Sequence, residues 1–254
     1  MSSGKRLRPF LVLKTSELFG VEKERALRVA ASIEMVHAYS LVHDDLPSMD
    51  NDELRRGKLT VHKKFNEFTA ILAGNSLLTL AFEILSGNNL HLSQNYKNEL
   101  IKTLSMCAGH SGLAGGQYSD LTFENKSILK KNIINMQKKK TGELFGFCCE
   151  SIAIIKGVNS IKRKKLKEIG INIGLLFQIV DDLIDYKGDS MIVGKPTRSD
   201  EKKGKATLVN LLGYEETINF AKNLKKKINQ QIKKYGTKAN DLLDSVEFIL
   251  KRKF

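Results

Sequence analysis

The sequence predicts an all-α fold in a single domain, and three observations carry that expectation. Gly and Pro number only 19 and 3 in 254 residues, which leaves little room for a strand-and-turn architecture. Leu, Ile, Lys, Glu and Ala are prominent, a composition that favours helices. Apolar positions recur at helical spacing along nearly the whole chain, and no strand-like alternation persists. A hydrophobic fraction of 41% permits a sizeable core and rules out disorder.

The elements follow in order. A long helix covers roughly 22–45, with Ala26, Val29, Ala30, Ile33, Val36 and Leu41 on its apolar side. Further helical segments cover roughly 66–86, 96–114, 126–155, 161–186, 205–212 and 215–234, with a last one near 239–251. Turn signals stand at SGNN (86–89), GVNS (157–160) and YKGDS (186–190). No linker or low-complexity tract divides the chain, so the helices are expected to surround one core.

Lys and Arg total 42 against 28 Asp and Glu, a surplus of +14. Such a surplus suits a nucleic acid, an anionic surface or a polyanionic small substrate. Most of the lysines are spread over many helices and read as solvated faces. The three cysteines, Cys107, Cys148 and Cys149, form no C-x-x-C pair, so neither a zinc site nor a disulfide framework is indicated. No apolar run reaches transmembrane length, and FLVL near the basic N-terminus is too short for a signal-peptide core. A cytoplasmic protein without stable membrane insertion is expected.

Two acidic clusters carry the chemistry. The first, HDDLPSMDNDELRRGK (43–58), gathers Asp44, Asp45, Asp50, Asp52 and Glu53 and then turns basic at Arg55, Arg56 and Lys58. His37, Ser40, Leu41 and Asp44 share one helix face, whereas Asp50 lies out of line and needs a bend near Pro47 to join Asp44. The second cluster lies in GINIGLLFQIVDDLIDYKGD (170–189), a helix apolar nearly all round. Gln178, Asp181, Asp182 and Asp185 fall at i, i+3, i+4 and i+7 on one face of it, and Gly174 continues that face as a vacant stretch. Like charges on a buried face repel and are costly to desolvate, a cost that cations remove. Oxygen-only ligands favour Mg²⁺ or Ca²⁺, and neither cluster has EF-hand spacing. Mg²⁺ completes its shell with substrate phosphates, and the neighbouring arginines suit bidentate contacts to them. Carboxylates holding metal, metal holding a polyphosphate, and arginine closing the clamp is the arrangement these residues suggest.

The chain resembles the trans-isoprenyl diphosphate synthases over nearly its whole length, with bacterial farnesyl diphosphate synthases the nearest in pattern. GKRLRP, HAYSLVHDDLPSMDNDELRRGK, GGQYSDL, KTGELF, GLLFQIVDDLIDY and GKPTRSDEKKGKAT occur in that family's order. The resemblance implies an isoprenoid-synthase helical bundle around a deep central cavity, Mg²⁺ as cofactor and a homodimer. It gives Mg²⁺ binding to Asp44, Asp50, Asp181 and Asp185, with Asp45 and Asp182 in support. Arg55, Lys140, Thr141, Gln178, Lys195 and Lys205 would surround the allylic diphosphate. Lys5, Arg8, His37 and Arg56 would hold isopentenyl diphosphate. Asp44, Asp50, Arg55, Lys140, Asp181 and Lys205 would carry catalysis: metal and fixed cations stabilise the departing diphosphate, and a dry cavity protects the carbocation.

Product length should follow cavity depth, because one helical turn rises about 5.4 Å, close to one isoprene unit. The resemblance picks Tyr39, five residues before Asp44, as the cap, and with the LPSM spacer it implies a C15 product. The helix wheel places Ser40 more directly below Asp44. The expected reaction is condensation of isopentenyl diphosphate with dimethylallyl and geranyl diphosphate to farnesyl diphosphate. A geranylgeranyl diphosphate synthase is the alternative, and a terpene cyclase a remoter one. A nucleic-acid binder would explain the surplus charge but not the buried acids. Family members usually carry one or two helices before GKRLRP, so residues 1–254 are expected to form the synthase domain without them.

Overall fold

The computed structural model describes residues 4–187 and 203–252; Lys195, and with it most of GKPTRSDEKKGKAT, lies outside the described residues. Twelve α-helices are described: α1 Leu7–Phe19, α2 Lys23–Asp44, α3 Val61–Lys64, α4 Glu67–Ser86, α5 Gln94–Ala108, α6 Leu113–Thr122, α7 Lys130–Gln137, α8 Glu143–Ile155, α9 Ser160–Lys187, α10 Leu208–Leu212, α11 Tyr214–Ile232 and α12 Asn240–Lys251. The expected all-α bundle is present. α9 lies at its centre, against α8, α11 and α12, while α8 also meets α1 and α5, and α2 packs between α1 and α4. The core follows from composition: α8 is buried from Leu144 to Ile155, and Phe145 and Phe147 are fully buried. Each such side chain contributes roughly 1.5–3 kcal/mol by leaving water. All three cysteines are buried and unpaired within this packing.

The structure corrects several boundaries. The segment expected at 96–114 is two helices, α5 and α6, because the chain folds tightly at Gly109–Gly112. A Cβ at Gly112 would lie 2.1 Å from the Cys107 carbonyl oxygen, so only glycine fits there. The segment expected at 126–155 is one axis with a π-helical turn, Lys138–Gly142, between α7 and α8. α1 forms where no helix was anticipated. A two-stranded hairpin, β1 Leu54–Arg55 and β2 Lys58–Leu59, escapes pattern analysis because each strand has only two residues. Gly174 does not face a vacant space: a Cβ there would lie 2.8 Å from Gly142 Cα and 2.9 Å from Phe145 Cβ, so the glycine lets α9 approach the π-helical turn.

α4 also departs from expectation. It is long and apolar enough by length and composition to cross a membrane, with a mean hydropathy of 1.6 in its best window. Ala70, Gly74, Ala81 and Leu85 are buried, and the helix packs on α2. Phe68, Ile71, Leu72 and Leu80 remain exposed.

Candidate active site

The first acidic cluster is assembled by a fold-back at the end of α2. The Asp50 N–H donates to the Asp44 carbonyl at 2.9 Å, and the Asn51 N–H reaches the Leu46 carbonyl at 3.1 Å, with Asn51 at a positive φ of 51°. The bend expected near Pro47 is this turn, and it sets Asp50 beside Asp44. The hairpin then reverses the chain at Arg56 (φ 55°) and Gly57 (φ 73°), a pair of positive φ values that fits a type I′ turn. Reversal carries Arg55 back onto Asp45, whose Oδ1 and Oδ2 accept from Arg55 Nε at 2.7 and 2.8 Å, with a further contact from Nη2. Asp45 is buried, and Arg55, anchored by it, still lines the cavity with part of its guanidinium.

The second cluster meets the first across a cavity of about 330 Å³. Asp44 and Asp50 line one side, and Gln178, Asp181, Asp182 and Asp185 of α9 line another. Asp182 is 3% exposed and accepts from Gln137 Nε2 at 2.7 Å and Gln178 Nε2 at 2.8 Å. Gln178 Oε1 in turn accepts from Thr141 Oγ1 at 2.8 Å. Thr141 and Lys140 reach the cavity from the π-helical turn, a local widening that is frequent at functional sites. Asp181 pairs with Arg252, near the chain's end, and lies 3.9 Å from Lys5 Nζ.

Internal cations hold most of these acids. Lys205 Nζ donates to Asp50 Oδ1 at 3.0 Å, to Asp120 Oδ2 at 3.0 Å and lies 2.9 Å from Glu124 Oε1. Lys203 Nζ donates to the Asp50 carbonyl at 2.8 Å and Asp52 Oδ1 at 2.7 Å. Burial pushes the Asp44 carboxyl up to about 6, and Asp50 and Asp45 add to this against Lys140 and Arg55. Lys205 is strongly held in its charged form: burial works against the ammonium, but Asp120 and Asp50 outweigh it.

A second basic group lies beside the cavity. Burial lowers the pKa of both Lys5 and Arg8, and Arg56 adds to the effect in each. Burial, then Arg8, Arg56 and Arg55, hold His37 well below its usual value, so its imidazole is neutral at neutral pH. Arg8 Nε is buried without a hydrogen-bond partner, although the guanidinium stacks 4.6 Å from the Phe145 ring. A Cβ at Gly4 would lie 2.6 Å from Arg56 Nη1, so this glycine makes room for the arginine. Crowded, partly unsatisfied cations of this kind favour an anion.

Of the polar cavity residues, sequence reasoning gave no role to Gln117, Asp120 and Gln137. GGQYSDL held a signal for two of them, since Gln117 and Asp120 at i, i+3 share a face of α6. Ser40, not Tyr39, lines the described cavity, as the helix wheel indicates. Tyr39 packs edge-on against His43, with ring centroids 5.5 Å apart. Among the described residues no group of three acidic, His or Cys side chains converges closely enough to hold a metal by itself. The donor set nevertheless fits a hard cation: it is all oxygen, Asp44 makes no ion pair among the described residues although Lys140 and Arg55 act on it, and Asp50 and Asp181 pair with a lysine and an arginine.

The sequence pattern of the polyprenyl synthetase family matches residues 1–246. The chain is 44% identical over 214 residues to the farnesyl diphosphate synthase of Micrococcus luteus, covering 84% of this chain and 73% of that protein. It is 40% identical over 240 residues to the farnesyl diphosphate synthase of Escherichia coli (strain K12), covering 94% and 80%. Among solved structures, an apo FPP/GFPP synthase from Zymomonas mobilis superposes with a TM-score of 0.87 at 42% identity, covering 98% of this chain and 84% of that one. A Helicobacter pylori geranyltransferase, solved with magnesium and isoprenyl diphosphate, gives 0.85 at 33% identity, covering 98% and 83%. With its acidic clusters facing one cavity and that pattern running through nearly all of its length, the chain belongs to the polyprenyl synthetase family, the trans-isoprenyl diphosphate synthases.

Proposed function

We propose that this chain is a short-chain prenyltransferase that condenses isopentenyl diphosphate with dimethylallyl and then geranyl diphosphate, releasing farnesyl diphosphate. The observation that carries this reading is the shared cavity, with Asp44 and Asp50 on one side and Asp181 and Asp185 on the other. Those four residues would hold Mg²⁺, which when bound supplies Lewis-acid stabilisation of the diphosphate. Lys140, Lys205 and Arg55 bind the allylic diphosphate as fixed cations, and Lys195 joins them in the family pattern. Their charge is in place before the C–O bond breaks, so little reorganisation is needed as negative charge develops on the leaving group. Thr141 and Gln178 line the same cavity and hold Asp182 in place through the chain of hydrogen bonds from Thr141 to Gln178 to Asp182. Lys5, Arg8, His37 and Arg56 hold the second diphosphate, with neutral His37 acting as a hydrogen-bond partner rather than a charge. The active form is a homodimer of such chains, joined through the exposed apolar face of α4.

Incubation with labelled isopentenyl diphosphate and each of dimethylallyl, geranyl and farnesyl diphosphate tests the reading, with Mg²⁺ and with EDTA. The expected result is a Mg²⁺-dependent C15 product from the two shorter primers. A C20 product from farnesyl diphosphate would move the assignment to a geranylgeranyl diphosphate synthase, and cyclised hydrocarbon without elongation would overturn it.

A further inference from the structure

Asp120 stands outside both acidic motifs and is 6% exposed. Its Oδ2 accepts from Lys140 Nζ at 2.7 Å and from Lys205 Nζ at 3.0 Å. The two lysines arrive from separate places, the π-helical turn after α7 and the segment leading into α10. Ammonium groups repel, so their pairing needs an intervening negative atom, and among the described residues Asp120 Oδ2 is the one acceptor that both share. Two opposed influences act on Asp120 itself: burial raises its pKa, while Lys140 and Lys205 more than offset that and keep the carboxylate ionised.

Lys205 is also tied to Asp50, one of the acids assigned above to the metal. A divalent cation arriving at Asp50 competes with that ammonium. Resting on the proposed function, we propose that Asp120 is a positioning residue for the allylic half of the site. It fixes Lys140 and Lys205 side by side toward the allylic diphosphate, and it retains Lys205 when the lysine leaves Asp50, so that Asp50 opens to the cation. Without Asp120, Lys205 keeps Asp50 and Glu124 as its partners, its hold on Asp50 tightens, and the paired ammonium surface is lost. The Lys5–Arg8–His37 group makes no contact with Asp120 and is unaffected.

Asp120→Asn keeps the shape and removes the charge. Mn²⁺ binding to the full chain without substrate, followed by electron paramagnetic resonance, is the first readout. The expected result is about ten-fold weaker binding in Asp120→Asn, the scale of one charge-assisted hydrogen bond. Affinity returns to near wild type in Asp120→Asn/Lys205→Met, where the competing ammonium is gone. A merely structural role gives no such rescue. In turnover assays Asp120→Asn should raise KM for geranyl diphosphate about ten-fold and leave KM for isopentenyl diphosphate unchanged, whereas Asp120→Glu keeps most of the wild-type behaviour. Asp120→Glu also serves for comparison if circular dichroism shows that the Asn variant does not fold. Unchanged Mn²⁺ affinity in Asp120→Asn, no rescue in the double variant, or an equal rise of both KM values would overturn the assignment. A wild-type chain that binds Mn²⁺ but elongates nothing would refute the functional reading alone, because the Mn²⁺ comparison still decides the role of Asp120.

Discussion

Burial raises the Asp44 carboxyl from 3.8 to about 6, and this displacement corresponds to at most about 3 kcal/mol between the two protonation states. Between those values the folded chain binds a proton that the unfolded chain does not. Metal-free stability from this group therefore grows as pH falls through 6 and is complete near 3.8; above 6 the bare carboxylate is a cost. Asp44→Asn should thus raise the melting temperature in EDTA at pH 7, and the difference from wild type should vanish toward pH 4. His37 works the other way below its ordinary value in both proteins, so comparing the variants isolates Asp44. A difference independent of pH would contradict this. Chain length is also set by single residues: Tyr39→Ala should shift the chromatographic product profile beyond C15, and an unchanged profile would move the cap to Ser40, which lines the cavity. The acids of both motifs were legible because their spacing is local. The roles of Asp120 were not, because its partners lie 20 and 85 positions away.

At the scale of elements, helical periodicity located α2, α4 and α9 to within one or two residues of their ends. It failed where geometry depends on backbone rather than on side-chain pattern. Gly109–Gly112 divides α5 from α6, the π-helical turn Lys138–Gly142 adds a residue per turn inside a continuous axis, and Arg56–Gly57 closes a hairpin too short to show alternation. Gly174 was read as open space because glycine offers no side chain, yet the neighbouring π-helical turn fills that space. α4 presents Phe68, Ile71, Leu72 and Leu80 to solvent, a row that a second copy of the chain would cover. Leu72→Lys, at a position 60% exposed, should leave the monomer folded and shift light-scattering mass from dimer to monomer. A monomeric wild type, or a dimer undisturbed by the substitution, would contradict α4 as the contact.

Across the whole molecule, the surplus of +14 resolves into two populations. Many lysines lie on solvated helix faces, as composition suggested. A smaller set is turned inward: Lys140, Lys205, Arg55, Arg8 and Arg252 surround the acids of the cavity. The fold thereby stores alternating charge in a low-dielectric space, which strengthens every interaction made there with a diphosphate. Sequence spacing gave the acidic half of this arrangement. The pairing of each acid with a particular base depends on which helices meet, and no local pattern encodes it. The central claim is that both acidic rows act together on one diphosphate. Turnover of isopentenyl and geranyl diphosphate at saturating Mg²⁺ tests it most directly, in Asp44→Asn, Asp181→Asn and the double variant. Loss of at least about a hundred-fold in each single variant, with a double variant far less impaired than the product of the two, is the expected result. A double variant that still elongates geranyl diphosphate at the wild-type rate would contradict it.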